Sequence, residues 1–445
     1  MTAIERDLSS ADRIVQVLHH LGISRAHIAA RVPGDWQGLA STHPETVASL
    51  TLVGPLGMDP AVLRQLAPRL LVIAGAQGRP ADMVHQVLAG LPGATLVTLH
   101  GYPSPTSYTD VAAERAADIG AAMLAFMARR DADAALAPVS IADTVGEVAG
   151  VSYRVQGSGL PLVLLPLSVA PSQWEPLLPQ LSARYCTIVL GGAALGMIAS
   201  LETRGHTAGY LRVVGNLIDA TDLQPGEMVL EVGCGTGVLD RWLAHRTGRA
   251  NRIMGVDINA YLLREAALLA QWEGLADTIE FRQGNAENLP LPDQHFGVVM
   301  SSTVIQWADA DRMLAEMVRV TKPGGRVAVI GHAHDLPRWV NLPLPSELKH
   351  QIEAPGWDDD NHHPLGCHEA SLYQRIRQTD LTQVQMFPQF AAFNDPFRLQ
   401  QLQASLLPTL KPEEADAWRA AVAQAEADGT FFIATPFHCV VGTKP

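Results

Sequence analysis

What the chain has little of narrows its class. It carries only four cysteines, Cys186, Cys234, Cys367 and Cys439, with no C-x-x-C spacing among them. That excludes a disulfide framework or a zinc ribbon and fits a reducing cytoplasm. Positive charge is scarce too: 32 Lys and Arg face 45 Asp and Glu, a net −13, and no basic block offsets it. Nucleic acid is therefore a poor partner. The apolar run "PLVLLPLSVAP" is too short and too broken by proline to span a bilayer. The N-terminal "MTAIERDLSSADR" is charged and lacks an apolar centre, so no signal peptide is expected. There is no fixed-period repeat. What is present is a hydrophobic content of 47%, enough for sizeable cores, and a length of 445 residues that argues for two or three domains.

Residues 9–22, "SSADRIVQVLHHLG", place Ile14, Val17, Leu18 and Leu21 on one helix face, with Ser9 or Ser10 to cap and Gly22 to end it. Strand-like runs at 26–31, 47–53, 69–74 and 94–99 alternate with helical patterns, and another helical pattern covers 109–128. This alternation predicts a parallel sheet with helices on both faces. An Ala/Asp-rich stretch at about 129–146 reads as a linker. The strand-like "VSYRV", "PLVLLPL" and "CTIVLGG" follow, and 192–205 reads as a second soft stretch before a helix at 207–221. From 228 to about 330, strand and helix alternate again.

The strongest signal is "MVLEVGCGTG", 228–237, an apolar strand running into a glycine-rich turn and then the helical "VLDRWLAHRTG". Glycines let the backbone pass close beneath a ligand, and a helix N-terminus offers free N–H groups. "RIMGVDIN" supplies a second strand ending in Asp257, where a carboxylate can accept from both hydroxyls of a ribose. "IEFRQGNAENLPLPDQHFGVVMSS" gives a third strand ending at Asn285-Ala286-Glu287 and a fourth ending at Ser301. "RVTKPGGRVAVIG" gives a helix end, a Pro-Gly-Gly turn and a fifth strand.

As an ordered set, these motifs resemble the class I S-adenosylmethionine-dependent methyltransferases. The likeness is to the small-molecule, type 11-like group, which includes the C-methyltransferases of quinone synthesis. It covers about 205–445. It implies a Rossmann-like sheet finished by an antiparallel hairpin, with S-adenosyl-L-methionine as cofactor. Glu231 would serve the methionine end, and Gly233, Cys234, Gly235 and Gly237 the turn. Asp257 would serve the ribose and Asn285 and Ala286 the adenine edge, with Ile258, Glu287 and Ser301, at the end of the fourth strand, also among the cofactor-binding residues. Many members carry Asp where this chain has Asn285, whose amide can still accept from the adenine amino group.

"ARVPG", 30–34, stands where many α/β-hydrolases hold the G-x-S-x-G nucleophile elbow. The chain from "SADRIVQ" to "FMARR" resembles the second half of that fold, and 151–192 resembles the first half. The halves thus stand in permuted order, which predicts 162–166 parallel and adjacent to 26–31; a tandem of two truncated copies is the other arrangement. The triad is missing. Val32 takes the nucleophile's place, Gly78 the acid's and Ser104 the histidine's, while His100 lies before the last turn rather than after it. The resemblance implies a catalytically dead, degenerate hydrolase-like domain over 1–192, serving as interface or lid, with a homodimer formed through it.

The segment 331–369 follows the fifth strand and is rich in His, Trp and Pro. Such a long loop reads as a substrate lid, with a solvated surface loop as the alternative. Methyl transfer from a sulfonium is an in-line displacement, helped mainly by positioning. A base is needed only where the acceptor keeps its proton at neutral pH. His334, His362 and His363 are the candidates for base or acceptor contact, and Trp307, Trp339 and His332 for the substrate wall. Trp357, His368 and Asp335 lie in the same segment, and Gln306 adjoins Trp307. The histidines could also ligate a metal, but none is assigned. Helical stretches within 396–427 form an insert. The sequence therefore predicts an α/β protein of two domains, a class I methyltransferase and an α/β-hydrolase-like parallel sheet. It is expected to be cytoplasmic, to methylate a small, partly apolar metabolite and to bind neither nucleic acid nor membrane. Two rival readings stand beside this one. "SSTVIQW" is similar to the carrier-linked acyl carboxyl O-methyltransferases of biotin synthesis. A non-catalytic scaffold or sensor for S-adenosylmethionine is the other.

Overall fold

The first helix begins where the sequence offers a cap. Ser9 Oγ accepts from the Asp12 N–H at 3.1 Å, and the helix Ser10–His20 buries Ile14, Val17 and Leu18. The structure is a computed structural model that describes residues 8–55, 57–103, 110–132, 136–355, 363–394, 398–399, 402–403 and 406–445. Two compact units divide the chain, Met1–Ser200 and Leu201–Pro445.

The first unit is built on one eight-stranded sheet. Its strands are β1 (Ala26–Ala30), β2 (Val47–Val53), β3 (Leu70–Gln77), β4 (Thr95–Pro103), β5 (Thr144–Val148), β6 (Val151–Gln156), β7 (Leu160–Leu164) and β8 (Tyr185–Gly191). They lie in the order β4-β3-β2-β1-β7-β8-β6-β5. From β4 to β8 all neighbours are parallel, while β6 runs antiparallel to both β8 and β5. Both faces are covered, so β1, β2 and β8 are buried along their whole length and read as near-continuous apolar runs. Alternate residues feed two cores: Ile28, Leu50, Leu52 and Val163 on one face, and Ala29, Val53, Leu71 and Leu162 on the other. As expected, β7 lies parallel and adjacent to β1, with His27 opposite Leu162 and Ala29 opposite Leu164.

Two expectations are corrected here. Residues 144–146 of the supposed linker belong to β5, the edge strand paired with β6. The stretch 192–205 is not soft: it carries the helix Gly196–His206. Its glycine, alanine and serine content hid it, but Leu195 and Ile198 are buried, and the Asp35 carboxylate accepts from the Gly196 N–H at 3.1 Å.

The second unit carries another eight-stranded sheet. Its strands are β9 (Val229–Val232), β10 (Ile253–Asp257), β11 (Ile279–Gln283), β12 (Phe296–Ser302), β13 (Thr321–His332), β14 (Trp339–Val340), β15 (Thr382–Phe393) and β16 (Ile433–Thr443). The order is β11-β10-β9-β12-β13-β16-β14, with β15 also on β16. The first five strands of that order are parallel. β16 is antiparallel to β13, β14 and β15, which is the expected final hairpin. The chain steps from β9 outward to β11, then returns to place β12 on the other side of β9. Ligands bind at such a switch point, outside the carboxyl ends of the strands.

The stretch 331–369 proves more ordered than a long loop. β13 runs through His332, β14 pairs with β16, and 346–353 is helical. Val340, Leu342, Leu348 and Ile352 pack in one cluster with Leu399, Leu402, Trp418 and Val422. The two segments read separately as lid and insert thus share one small core. Among the described residues no helix is long and apolar enough to cross a membrane.

Candidate active site

The glycine turn follows β9. Gly233, Gly235 and Gly237 all have left-handed backbone, with φ of +79°, +56° and +66°. The Gly233 and Cys234 N–H groups both donate to the Val256 carbonyl, at 2.7 and 3.0 Å, which pins the turn to β10. At Gly233 a Cβ would come within 2.2 Å of Val304 Cγ2, so the backbone here is packed from above. At Gly235 a Cβ would meet only Leu201 Cδ1, at 3.2 Å, so its outer face is nearly open.

Asp257 ends the neighbouring strand. Its Oδ2 accepts from the Gly235 N–H at 2.9 Å and its Oδ1 from the Asn259 N–H at 2.8 Å. Burial raises its pKa above the ordinary aspartate range, and these backbone N–H bonds pull against that rise. Each oxygen keeps a lone pair for a further donor. Ile258, the next residue, is 65% exposed, a bare apolar side chain beside the turn.

The remaining residues picked from the sequence divide. Asn285 is exposed, and its Oδ1 accepts from the Glu287 N–H at 2.9 Å in a tight turn that includes the half-buried Ala286. Glu287 turns away to the next helix, accepting from the Asp309 N–H at 3.1 Å and facing Arg312 at 3.3 Å. Ser301 is fully buried and donates to the Val232 carbonyl at 2.8 Å, so its hydroxyl serves the sheet. Its neighbour Ser302 points to the opposite face, as strand alternation requires, and meets the Tyr210 hydroxyl at 2.6 Å. Sequence reading missed this pair and also Arg204. The Arg204 guanidinium lies over the Tyr210 ring, 5.2 Å from its centroid, and its charge reaches Glu231. Among the described residues Arg204 makes no ion pair.

A second group gathers where β13 ends. The His332 ring stacks on Phe437 of β16 at 5.1 Å, the His332 and His334 rings are 5.5 Å apart, and His334 and His368 are 5.1 Å apart. Asp335 Oδ1 is 2.7 Å from His438 Nε2, and its Oδ2 accepts from the Ala370 N–H at 3.3 Å. Burial pushes the Asp335 carboxyl up, but the hydrogen bond and charge of His438 outweigh this and hold it below the ordinary range. His438 had no signal in the sequence: it sits in an apolar strand 103 positions from its partner. His363 is taken up by its own turn, its ring nitrogen accepting from the Leu365 N–H at 3.1 Å. Trp307 is 38% exposed beside the buried Gln306. Trp339 packs on Phe432 at 5.1 Å; it pairs with Ala434 on the same edge of β16 on which His332 pairs with Phe437, three residues further along. His362 and Trp357 lie outside the described residues.

In the first unit, Val32 has ordinary extended backbone, φ −81° and ψ 125°, immediately before the helix Pro33–Thr42. The strained turn of a nucleophile elbow is therefore absent along with the serine. Gly78, with φ +93°, precedes the helix Arg79–Ala89, and Ser104 lies outside the described residues. A Ser49–His27–Asp131 string does occur, with contacts of 2.7 and 3.1 Å. Ser49 is buried in mid-strand, and His27 lies near the start of β1, at the edge away from Val32, so this string has no reacting face.

The second unit is an open, Rossmann-like α/β sheet, with the glycine turn and Asp257 at the carboxyl ends of its first two strands. Residues 230–329 match the family model described as a methyltransferase domain. Among curated relatives, the methyltransferase GfsG of Streptomyces halstedii is 34% identical over 119 residues, 26% of this chain and 42% of that protein. The ubiquinone/menaquinone biosynthesis C-methyltransferase UbiE of Vibrio vulnificus is 34% identical over 114 residues, 25% of this chain and 44% of its own length. The chain thus spans less than half the length of these two relatives. A solved geranyl diphosphate C-methyltransferase from Streptomyces coelicolor is 17% identical, with a TM-score of 0.35 over 53% of this chain and 76% of that one.

Proposed function

We propose that residues 201–445 form an S-adenosylmethionine-dependent methyltransferase acting on a small, partly apolar metabolite. One observation carries the reading: the segment that matches a methyltransferase domain is the one whose strand ends hold the open Gly235 backbone, Asp257 and the bare Ile258 side by side. S-adenosylmethionine, when bound, supplies an electrophilic methyl group on a sulfonium. The chain's own residues fit its other parts. Glu231, whose buried Oε2 receives no N–H or hydroxyl donor among the described residues, answers the ammonium, and Arg204 the carboxylate. Asp257 has lone pairs for the ribose hydroxyls. Ile258 offers an apolar flank to the base, and Asn285 its edge.

The acceptor side falls to the end of β13. His332 on Phe437, with Tyr210 behind, gives an aromatic wall for an apolar body. His334, its ring 5.5 Å from that of His332, is the candidate general base. The similarity to UbiE, by name a C-methyltransferase of quinone biosynthesis, supports a small-molecule acceptor. Incubating the protein with isotopically methyl-labelled S-adenosylmethionine and a metabolite extract tests the reading. Label should move to a small molecule as S-adenosylhomocysteine accumulates. Cofactor binding without any transfer would favour the scaffold or sensor.

For the first unit we propose a catalytically silent, permuted α/β-hydrolase-like fold. The support is the sheet. Numbered from residue 144 to the end of the unit and then from its start, the strand order becomes 1-2-4-3-5-6-7-8, sequential but for the exchange of the third and fourth strands, with the second strand antiparallel.

A further inference from the structure

Two buried carboxyls meet beneath the glycine turn. Glu231 is the penultimate residue of β9, and Asp240 lies in the first turn of the helix Val238–Arg246. They are 2% and 1% exposed and hydrogen-bonded to one another. No N–H or hydroxyl of another described residue reaches Glu231 Oε2 or Asp240 Oδ2. A hydrogen bond between two carboxyls needs a proton, so the pair holds one. Among the described residues, the other charged or titratable groups around them are Arg204 from the helix Gly196–His206, Asp257 from β10, Cys234 of the turn and Arg241 beside Asp240. Arg241 is committed to Glu202, Glu273 and the Thr236 carbonyl. Arg204 is the cation left facing the site.

We propose that Glu231 and Asp240 share one proton until the ammonium of an α-amino-acid ligand displaces it, so that binding at the glycine turn releases a proton to solvent. This rests on the cofactor reading above. The pair passes from one negative charge to two, opposite the incoming ammonium, while Arg204 meets the ligand's carboxylate; the proton leaves to buffer and no other bond changes. Burial lifts both carboxyls, Asp240 to about 7, and the Asp240 charge adds to the rise at Glu231, so above about pH 7 the pair keeps one proton.

S-adenosylhomocysteine is the probe, since its neutral sulfur leaves the ammonium as the ligand's one cationic group. Calorimetric titration near pH 8 in phosphate and in Tris, whose ionisation enthalpies differ, counts the protons released; the expected number is about one. Affinity should strengthen by up to about tenfold per pH unit as pH rises from about 7 to about 8. Asp240→Asn should still bind, with proton release near zero and affinity almost flat over that range. Binding without proton release by the wild type, or undiminished release by the variant, overturns the inference while leaving the cofactor reading intact. A wild type that does not bind the probe overturns both. The wild-type buffer series decides the matter even if the variant fails to fold.

Discussion

At Gly233 and Gly235 one residue type does two jobs. Both need φ above zero, which costs an alanine about 1–2 kcal/mol. Gly233→Ala would in addition drive a Cβ to 2.2 Å from Val304 Cγ2, whereas Gly235→Ala meets only Leu201 Cδ1 at 3.2 Å. Gly233→Ala should therefore lower the melting temperature clearly more than Gly235→Ala, while Gly235→Ala folds and loses S-adenosylhomocysteine affinity in calorimetry. Equal melting losses would mean that the packing above Gly233 is not tight. Asp35 makes a second case. Its carboxyl is buried, accepts from the Gly196 N–H, and burial pushes its pKa up to about 7. A carboxyl raised in the fold favours the folded state at low pH, and that stability is lost as pH rises from about 4 through about 7. Asp35→Asn keeps the acceptor and removes the charge. It should raise the melting temperature at about pH 8, by roughly 1–3 kcal/mol of stability, and change little at about pH 4. A difference that is the same at both pH values would contradict the buried-charge account.

At the scale of elements, what the sequence disclosed was local. The turn "VGCGTG", the acidic end of β10 and the alternation of apolar strands each lie within a dozen residues, so period and punctuation reveal them. What it concealed was made by distant partners. His438 finds Asp335 across the pairing of β13 with β16, and Tyr210 finds Ser302 from a helix packed on the sheet. The helix Gly196–His206 escaped because its small residues carry little periodic signal. The packing of 339–353 on 412–427 escaped because each segment alone looks like a half-polar excursion. That shared cluster has a consequence. Trp418 is fully buried at its centre, and Trp418→Ala should cost about 3–5 kcal/mol of local stability. Hydrogen exchange should then show 339–353 and 412–427 losing protection together, while β9 to β12 keep theirs. Loss in one segment alone would mean that lid and insert are independent.

At the scale of the whole molecule, one chain carries two sheets with different fates. On the hydrolase-like reading proposed for the first unit, the nucleophile's place holds Val32 in relaxed backbone, and Ser49 and His27 are buried in the sheet with Asp131 half-buried at the end of a helix. A fluorophosphonate probe should leave the protein unlabelled, and Val32→Ser should stay unlabelled too, because the backbone there is not a strained turn and Gly78 stands in the acid's place. Specific labelling of the native chain would overturn the silent-hydrolase reading. In the second unit the central claim is that the strand ends at Gly235 and Asp257 hold S-adenosylmethionine. Calorimetry with S-adenosylhomocysteine, comparing the wild type with Asp257→Ala, tests this most directly. The account predicts saturable binding by the wild type and affinity at least about tenfold weaker in the variant, about 1.4 kcal/mol. Equal affinity in the two proteins would contradict it.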